Sequence, residues 1–134
     1  MNEPIAQAVE KLVGGDLSTG SFVYVQPHDQ LLAACQDKRL VVTRQAAATV
    51  LRDLSAGKVT GPEAQAWASF IRHGYVAGGR GPVRPLPIDY ESEFEDAIVE
   101  AISRMDEIGD VVDGELDRDE IEGLLEELEA GARP

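Results

Sequence analysis

Apolar residues recur at helical spacing over most of the chain. The first such pattern starts near Pro4, where a missing backbone amide is tolerated, and stops at Gly14. Its apolar positions are spaced four and three residues apart and comprise Ile5, Val9 and Leu12. This spacing predicts a helix with one buried face.

Two central helices have clear start and stop signals. Thr43 is a candidate N-cap for a helix that ends at Gly57. The next helix starts with a capping box, in which Glu63 can reach back to the amide of Thr60, and it ends near Gly74. Its apolar face is formed by Ala64, Trp67, Ala68 and Ile71. Because Trp67 lies on this face, we interpret it as a core residue rather than as a platform for ligand stacking.

Two short runs have the composition of β-strands. Residues 21–26 (SFVYVQ) and 39–43 (RLVVT) are rich in β-branched and aromatic side chains, and Pro27 ends the first run. The intervening HDQLLAACQDK is compatible with a short helix or with a buried turn. Whether the two runs pair with each other is left open by the sequence.

Glycine and proline dominate residues 76–88 (VAGGRGPVRPLPI), which predicts an extended, flexible connection on the surface. A phosphate-binding loop is the sharper alternative for residues 78–81. We reject it because no Lys-Ser/Thr pair at a helix start follows these glycines.

Two acidic helices are predicted in the C-terminal part of the chain. The first spans residues 91–108, with the apolar face Phe94, Ile98, Ala101, Met105 and Ile108. The opposite face carries a stripe of carboxylates, with Asp96, Glu100 and Glu107 in line and Glu93 at the edge. The second is capped by Asp117 and turns inward Ile121, Leu124, Leu125 and Leu128, with Asp119, Glu122, Glu126 and Glu129 outward.

These elements predict a mainly α fold, a small antiparallel helical bundle in which a short two-stranded β element near residues 21–43 is possible. At 134 residues the chain is expected to be one domain, 1–134, with a flexible connection at about 76–88. No run reaches the roughly 20 apolar residues that span a bilayer, and the N-terminus lacks the pattern of a signal peptide. We therefore expect a cytoplasmic protein. The oligomeric state is not fixed by the sequence.

The net charge of −13 is unevenly distributed. Residues 1–80 carry 8 Lys/Arg and 7 Asp/Glu, whereas residues 81–134 carry 4 Lys/Arg and 18 Asp/Glu. An acidic half repels nucleic acid and anionic membranes, so neither is expected as a partner. A basic protein would be attracted and steered to faster association. The alternative is a surface that is acidic only for solubility.

No arrangement of side chains predicts catalysis or a bound cofactor. Cys35 is the single cysteine and lies among apolar residues, which indicates a core thiol. His28 and His73 lack further ligands at metal-site spacing. Residues 109–120 (GDVVDGELDRDE) have the second half of a calcium loop, but Gly109 and Val111 occupy positions that need oxygen ligands. We expect neither an enzyme nor a metal site.

The helical half resembles bacterial self-protective immunity proteins of the colicin D type. The resemblance covers about residues 46–130. It rests on the order Leu51-x-x-Leu54-x-x-Gly57, then Lys58-Val59-Thr60 before an amphipathic helix, then DEIGDVVDGEL at residues 106–116. Members of that family are small antiparallel four-helix bundles, and they cover the substrate cleft of a cationic tRNA-cleaving toxin domain with acidic side chains.

The resemblance implies that carboxylates in the turn before the last helix extend the stripe as mimics of RNA phosphates. The implied partner-binding residues are Glu93, Asp96, Glu100, Asp106, Glu107, Asp110, Asp113 and Glu115. The implied function is an immunity protein or antitoxin that blocks a basic toxin, expected to be a nuclease, by stoichiometric binding. The alternative is an acidic adaptor or regulatory module without a link to a toxin.

Overall fold

The computed structural model describes residues 3–76, 84–109 and 116–130. Over these residues it confirms a mainly helical fold, a small bundle of seven α-helices with one two-stranded sheet. In chain order the elements are α1 (Glu3–Val13), α2 (Gly20–Tyr24), α3 (His28–Ala34), β1 (Leu40–Val42), α4 (Arg44–Ser55), α5 (Gly61–His73), β2 (Ile88–Tyr90), α6 (Glu95–Asp106) and α7 (Arg118–Ala130). Leu17–Thr19 and Ser92–Phe94 form 3-10 turns. None of the described helices has the length and apolar character required to cross a membrane.

The predicted starts of α4, α5 and α7 are confirmed by their caps. The side chain of Thr43 accepts a backbone N–H from the first turn of α4. At the start of α5, Thr60 and Glu63 each accept a hydrogen bond from the other's backbone N–H, which completes the capping box. Asp117 accepts the N–H of Glu120 at 2.9 Å at the start of α7. Local polar signals therefore fix where the helices begin.

The first strand-like run is helical, so the prediction of a strand at residues 21–26 is wrong. The preceding turn is the physical reason. Asp16 caps it by accepting the N–H of Ser18, and the hydroxyl of Thr19 donates to the carbonyl of Ala8 at 2.9 Å. The chain thus leaves α1 already coiled and continues into α2, so tertiary anchoring overrides the β propensity of the side chains.

The second run does form a strand, but its partner lies elsewhere in the sequence. β1 pairs in parallel with β2, with Leu40 opposite Ile88 and Val42 opposite Tyr90. The predicted β element within residues 21–43 is therefore corrected to a parallel pair between β1 and β2. A parallel pair needs a long crossover, which here contains α4 and α5.

The segment leading into β2 is packed against the end of α5. The N–H of Leu86 donates to the carbonyl of Gly74 at 2.9 Å, and Leu86 is buried. Gly74 has φ +78°, and a Cβ there would lie 2.8 Å from Pro85, so both conformation and space require glycine. Within the predicted connection at 76–88, residues 77–83 lie outside the described residues.

One buried aromatic residue joins the N-terminal helix to the centre of the bundle. Trp67 of α5 is completely buried, which confirms its predicted core position. Its indole N–H donates to the carbonyl of Leu12 at 2.7 Å. That carbonyl belongs to the last turn of α1 and also accepts the N–H of Gly15 at 3.0 Å. The bond from Trp67 therefore satisfies the buried indole N–H while tying α1 to α5.

α6 is the central helix of the C-terminal half and packs against both α5 and α7. It begins at Glu95, four residues later than the predicted start at residue 91, because Ser92–Phe94 forms a 3-10 turn first. From Glu100 to Arg104 the number rises along α6, whereas the partner on α7 falls from Glu127 to Glu120. This order makes α6 and α7 antiparallel neighbours.

We predict that Trp67→Phe lowers the free energy of unfolding by about 3 kcal/mol, because it removes the bond to Leu12 and leaves a cavity. Urea unfolding followed by circular dichroism measures this change. Phe22→Leu, at an exposed position, is the control and should change little. A loss below about 1 kcal/mol for Trp67→Phe would contradict the assigned role of the indole.

Candidate acidic interface

The exposed side of α6 carries acidic residues at its N-terminal half. Its inner face is made of buried apolar residues, namely Ile98, Ala101, Ile102 and Met105. Glu95, Asp96 and Glu100 are exposed on the outside, with Val99 between them. Because the apolar side is fixed in the core, these carboxylates are held on a rigid helix.

Glu100 meets a second carboxylate across the groove between α6 and α7. The side chains of Glu100 and Glu127 are close enough to interact, and this interaction raises the pKa of Glu127 above its ordinary value. Asp96 lies one turn before Glu100 on the same side of α6. We call Asp96, Glu100 and Glu127 the acidic seam. No Lys or Arg forms an ion pair with any of the three within the described part of the chain.

α7 continues the negative surface on its outer side. Glu122 and Glu126 are one turn apart and exposed, as predicted. Asp119 is also exposed, in the first turn of α7, where the helix dipole stabilises a negative charge. Glu129 differs, since its carboxylate forms an ion pair with Arg52 of α4. The outer face of α7 is thus only partly neutralised.

Arg44 positions the two helix ends that form the seam. Its backbone N–H donates to the carboxylate of Glu91 at 2.9 Å, and its guanidinium lies 4.5 Å from the centre of the Phe94 ring. The same guanidinium donates to the carbonyl of Leu128 at 3.4 Å. One residue at the start of α4 therefore holds both the approach to α6 and the last turn of α7.

Asp106 is used inside the protein rather than on the acidic surface. Its carboxylate accepts hydrogen bonds from Arg72 at 2.9 Å and from Gln65 at 3.1 Å, both on α5. Its side chain is only 12% exposed. These bonds hold α5 against α6. The Arg72 cation neutralises the Asp106 carboxylate, which the resemblance predicts to bind a partner.

Glu107 is likewise engaged by a neighbouring cation. Arg104 donates to Glu107 at 2.9 Å and to Glu120 of α7 at 2.7 Å. The bond with Glu120 contributes most to raising the pKa of Arg104 above its ordinary value. At this end of the α6–α7 pair two carboxylates thus share one cation, in contrast to the acidic seam.

The remaining predicted site residues are dispersed or outside the described residues. Glu93 is exposed in the 3-10 turn before α6. Asp110, Asp113 and Glu115 lie outside the described residues, as does half of the calcium-loop-like segment. The structure thus brings together Asp96 and Glu100 from the predicted set.

Glu127 was not among the predicted site residues. The sequence contains a signal for it, since Glu127 follows Glu120 by seven residues and thus shares its side of α7. What the sequence does not contain is which side of α7 faces α6. Only the packing of the two helices shows that Glu127 lies opposite Glu100.

Cys35, His28 and His73 are the other side chains with reactive groups, and each is buried or hydrogen-bonded within the protein. Cys35 is buried, as predicted, and burial raises the pKa of its thiol. His28 Nε2 lies 2.6 Å from the carbonyl of Arg84, and His73 Nδ1 lies 2.9 Å from the carbonyl of Ser69. In the described ranges no group of three or more His, Cys, Asp or Glu side chains is placed to hold a metal ion.

Fold and surface together define a mainly helical protein with an acidic seam between its last two helices. Comparison of the chain with protein-family models, with curated proteins and with solved structures finds no match. The immunity-protein resemblance therefore stays a prediction, and the function has to be argued from the surface itself.

We predict that Arg44→Met destabilises the protein by about 2 kcal/mol, since the cation–π contact and the bond to Leu128 are both lost. Arg52→Met is the matched control, because it removes only the exposed ion pair with Glu129 and should cost less than about 1 kcal/mol. Urea unfolding of both variants makes the comparison. Equal losses would show that Arg44 does not join the helix ends.

We predict that Glu127→Gln raises the melting temperature at neutral pH and low salt, because it removes repulsion within the seam. Because the pKa of Glu127 is raised in the folded state, its ionised form lowers the stability of the folded protein above that pKa. This loss of stability disappears as the pH falls. The gain should therefore vanish near about pH 3, where the carboxyls are protonated in both states. It should also shrink in about 1 M salt.

Thermal unfolding followed by circular dichroism measures these shifts. Glu126→Gln, at the adjacent exposed position, removes the same charge without touching Glu100. An equal gain from Glu126→Gln would mean that the melting temperature depends only on net charge and that repulsion between Glu100 and Glu127 adds nothing.

Proposed function

We propose that this protein is an immunity or antitoxin protein, which binds a basic toxin domain stoichiometrically and blocks it. The observation that supports this proposal is the acidic seam, in which Asp96, Glu100 and Glu127 stand on two rigid helices without a neutralising cation among the described residues. Such a surface is unfavourable in the isolated protein. It becomes favourable when a cation is placed on it.

The physical argument rests on how carboxylates bind guanidinium and ammonium groups. Two carboxylates in contact can accept the several parallel N–H donors of an arginine, and such charge-assisted bonds are stronger than neutral ones. Rigid helices lose little conformational entropy on binding, so more of the interaction energy remains as affinity. The seam is therefore pre-organised for a basic protein surface.

A nuclease is the class of toxin that best fits this chemistry. Its active-site cleft must carry cations that bind the phosphates of its substrate. Carboxylates held at fixed spacing can occupy the positions of those phosphates and exclude the nucleic acid. The same charge makes nucleic acid and anionic membranes unsuitable as partners of this protein.

Inhibition of this kind needs binding and no chemistry. Carboxylates on exposed helix faces are poor general acids or bases at neutral pH. We accordingly propose a non-enzymatic role that uses no cofactor and that operates in the cytoplasm.

We predict that Asp96→Lys/Glu100→Lys weakens binding of the basic partner by at least about tenfold, mainly through slower association. Asp29→Lys/Asp37→Lys is the matched control, because it reverses two exposed charges on the opposite part of the chain and changes net charge equally. Surface plasmon resonance at low and physiological salt separates the rates. An equal loss of affinity in both double variants would mean that binding depends on net charge and not on the acidic seam.

The partner itself is found by affinity capture from the native host with the wild-type protein, followed by mass spectrometry. We expect a protein with a basic domain whose expression stops growth, and co-expression of the wild-type chain should restore growth. The seam variant should restore it poorly. A basic partner that is harmless to cells would instead identify an adaptor, and a neutral or acidic partner would overturn the proposal.

A further inference from the structure

The outer edge of β2 presents backbone groups without strand partners. The N–H of Glu91 donates to the carbonyl of Val42 at 2.9 Å, which sets the direction of the backbone groups along β2. In this register the N–H and C=O of Asp89 face β1, whereas those of Ile88 and Tyr90 face away from it. The N–H of Ile88 turns back to Leu86, but the outward groups of Tyr90 have no backbone partner among the described residues.

A groove of about 500 Å³ lies between the strands and α6. One of its walls is formed by Glu95 and Val99 of α6, and Val99 is 39% exposed. The strands contribute Val41 and Asp89, which are opposite each other in the register. The groove is therefore open to solvent and partly apolar, and its lining includes Ile88 and Tyr90, whose backbone groups face away from β1.

The charge of the groove selects the chemistry of its occupant. Asp89, Glu91 and Glu95 line it, and Arg39 is the cation in its lining. The carboxylate of Glu91 is already bonded to the backbone of Arg44, whereas Asp89 and Glu95 are exposed and form no ion pair in the part of the chain described. A cationic segment would satisfy both of these carboxylates.

We propose that this groove binds an extended, basic segment of a partner protein by strand addition to β2. Main-chain hydrogen bonds to Tyr90 and Ile88 would give the segment its register, as in other cases where a peptide extends a sheet. Alternate side chains of the segment point in opposite directions, so the basic residues on one side reach Asp89 and Glu95 and lay their aliphatic stems against Val99, while the small residues between them point away from the groove. The proposal is independent of toxin neutralisation.

The probe is a fluorescein-labelled decapeptide of alternating Arg and Val, and fluorescence anisotropy measures its binding at physiological salt. Two isomers of the same charge test strand addition, one N-methylated at every Arg amide and the other at every Val amide. In an extended peptide these two sets of amides lie on opposite edges. Blocking the bonded edge should weaken binding by about tenfold, and blocking the other edge should change it little.

Equal affinities of the two isomers would overturn the proposal, because binding by charge alone does not distinguish the edges. On the protein side, Asp89→Lys/Glu95→Lys should weaken binding, and Asp96→Lys/Glu100→Lys should weaken it less. A larger loss of binding in Asp96→Lys/Glu100→Lys would mean that the peptide binds at the acidic seam, and it would also overturn the proposal.

Hydrogen exchange followed by NMR gives an independent reading of the same edge. The peptide should slow exchange of the Tyr90 amide, which faces outward, and leave that of Asp89, which faces β1, nearly unchanged. Unaltered exchange at Tyr90 in the saturated complex would rule out strand addition.

Discussion

Arg44 holds the acidic part of the molecule together. Through its backbone it binds Glu91, and through its guanidinium it covers Phe94 and reaches the carbonyl of Leu128. These contacts place the beginning of α6 beside the end of α7. Together with the bond from Arg104 to Glu120, they oppose the repulsion between Glu100 and Glu127. Arg44 does this without forming an ion pair with either carboxylate.

The acidic seam differs from the other end of the α6–α7 pair in its ion pairs. At the other end of the α6–α7 pair, Arg104 bridges Glu107 and Glu120, and Arg72 neutralises Asp106. The three carboxylates at that end of the pair are therefore bonded to cations. The acidic seam is not, although pairing it would stabilise the fold. Surfaces that give up stability in this way are typical of binding sites, where the missing counter-charge comes from a partner.

Local signals made much of the fold predictable, whereas tertiary contacts decided the rest. Caps such as Thr43 and Asp117 act within one turn, so the sequence shows where those helices begin. The strand prediction for residues 21–26 failed because Thr19 is anchored to α1, and β2 was missed because its pairing depends on a distant strand. In the same way, the spacing of Glu100 predicted an exposed carboxylate but not its contact with α7.

The central claim is that the acidic seam is a binding surface for a basic protein. Carbodiimide labelling of carboxylates, read by mass spectrometry with and without the captured partner, tests it most directly. The account predicts that Asp96, Glu100 and Glu127 lose reactivity in the complex, while Asp29 and Asp37 remain as reactive as before. Full labelling of the three seam residues in a saturated complex would contradict it.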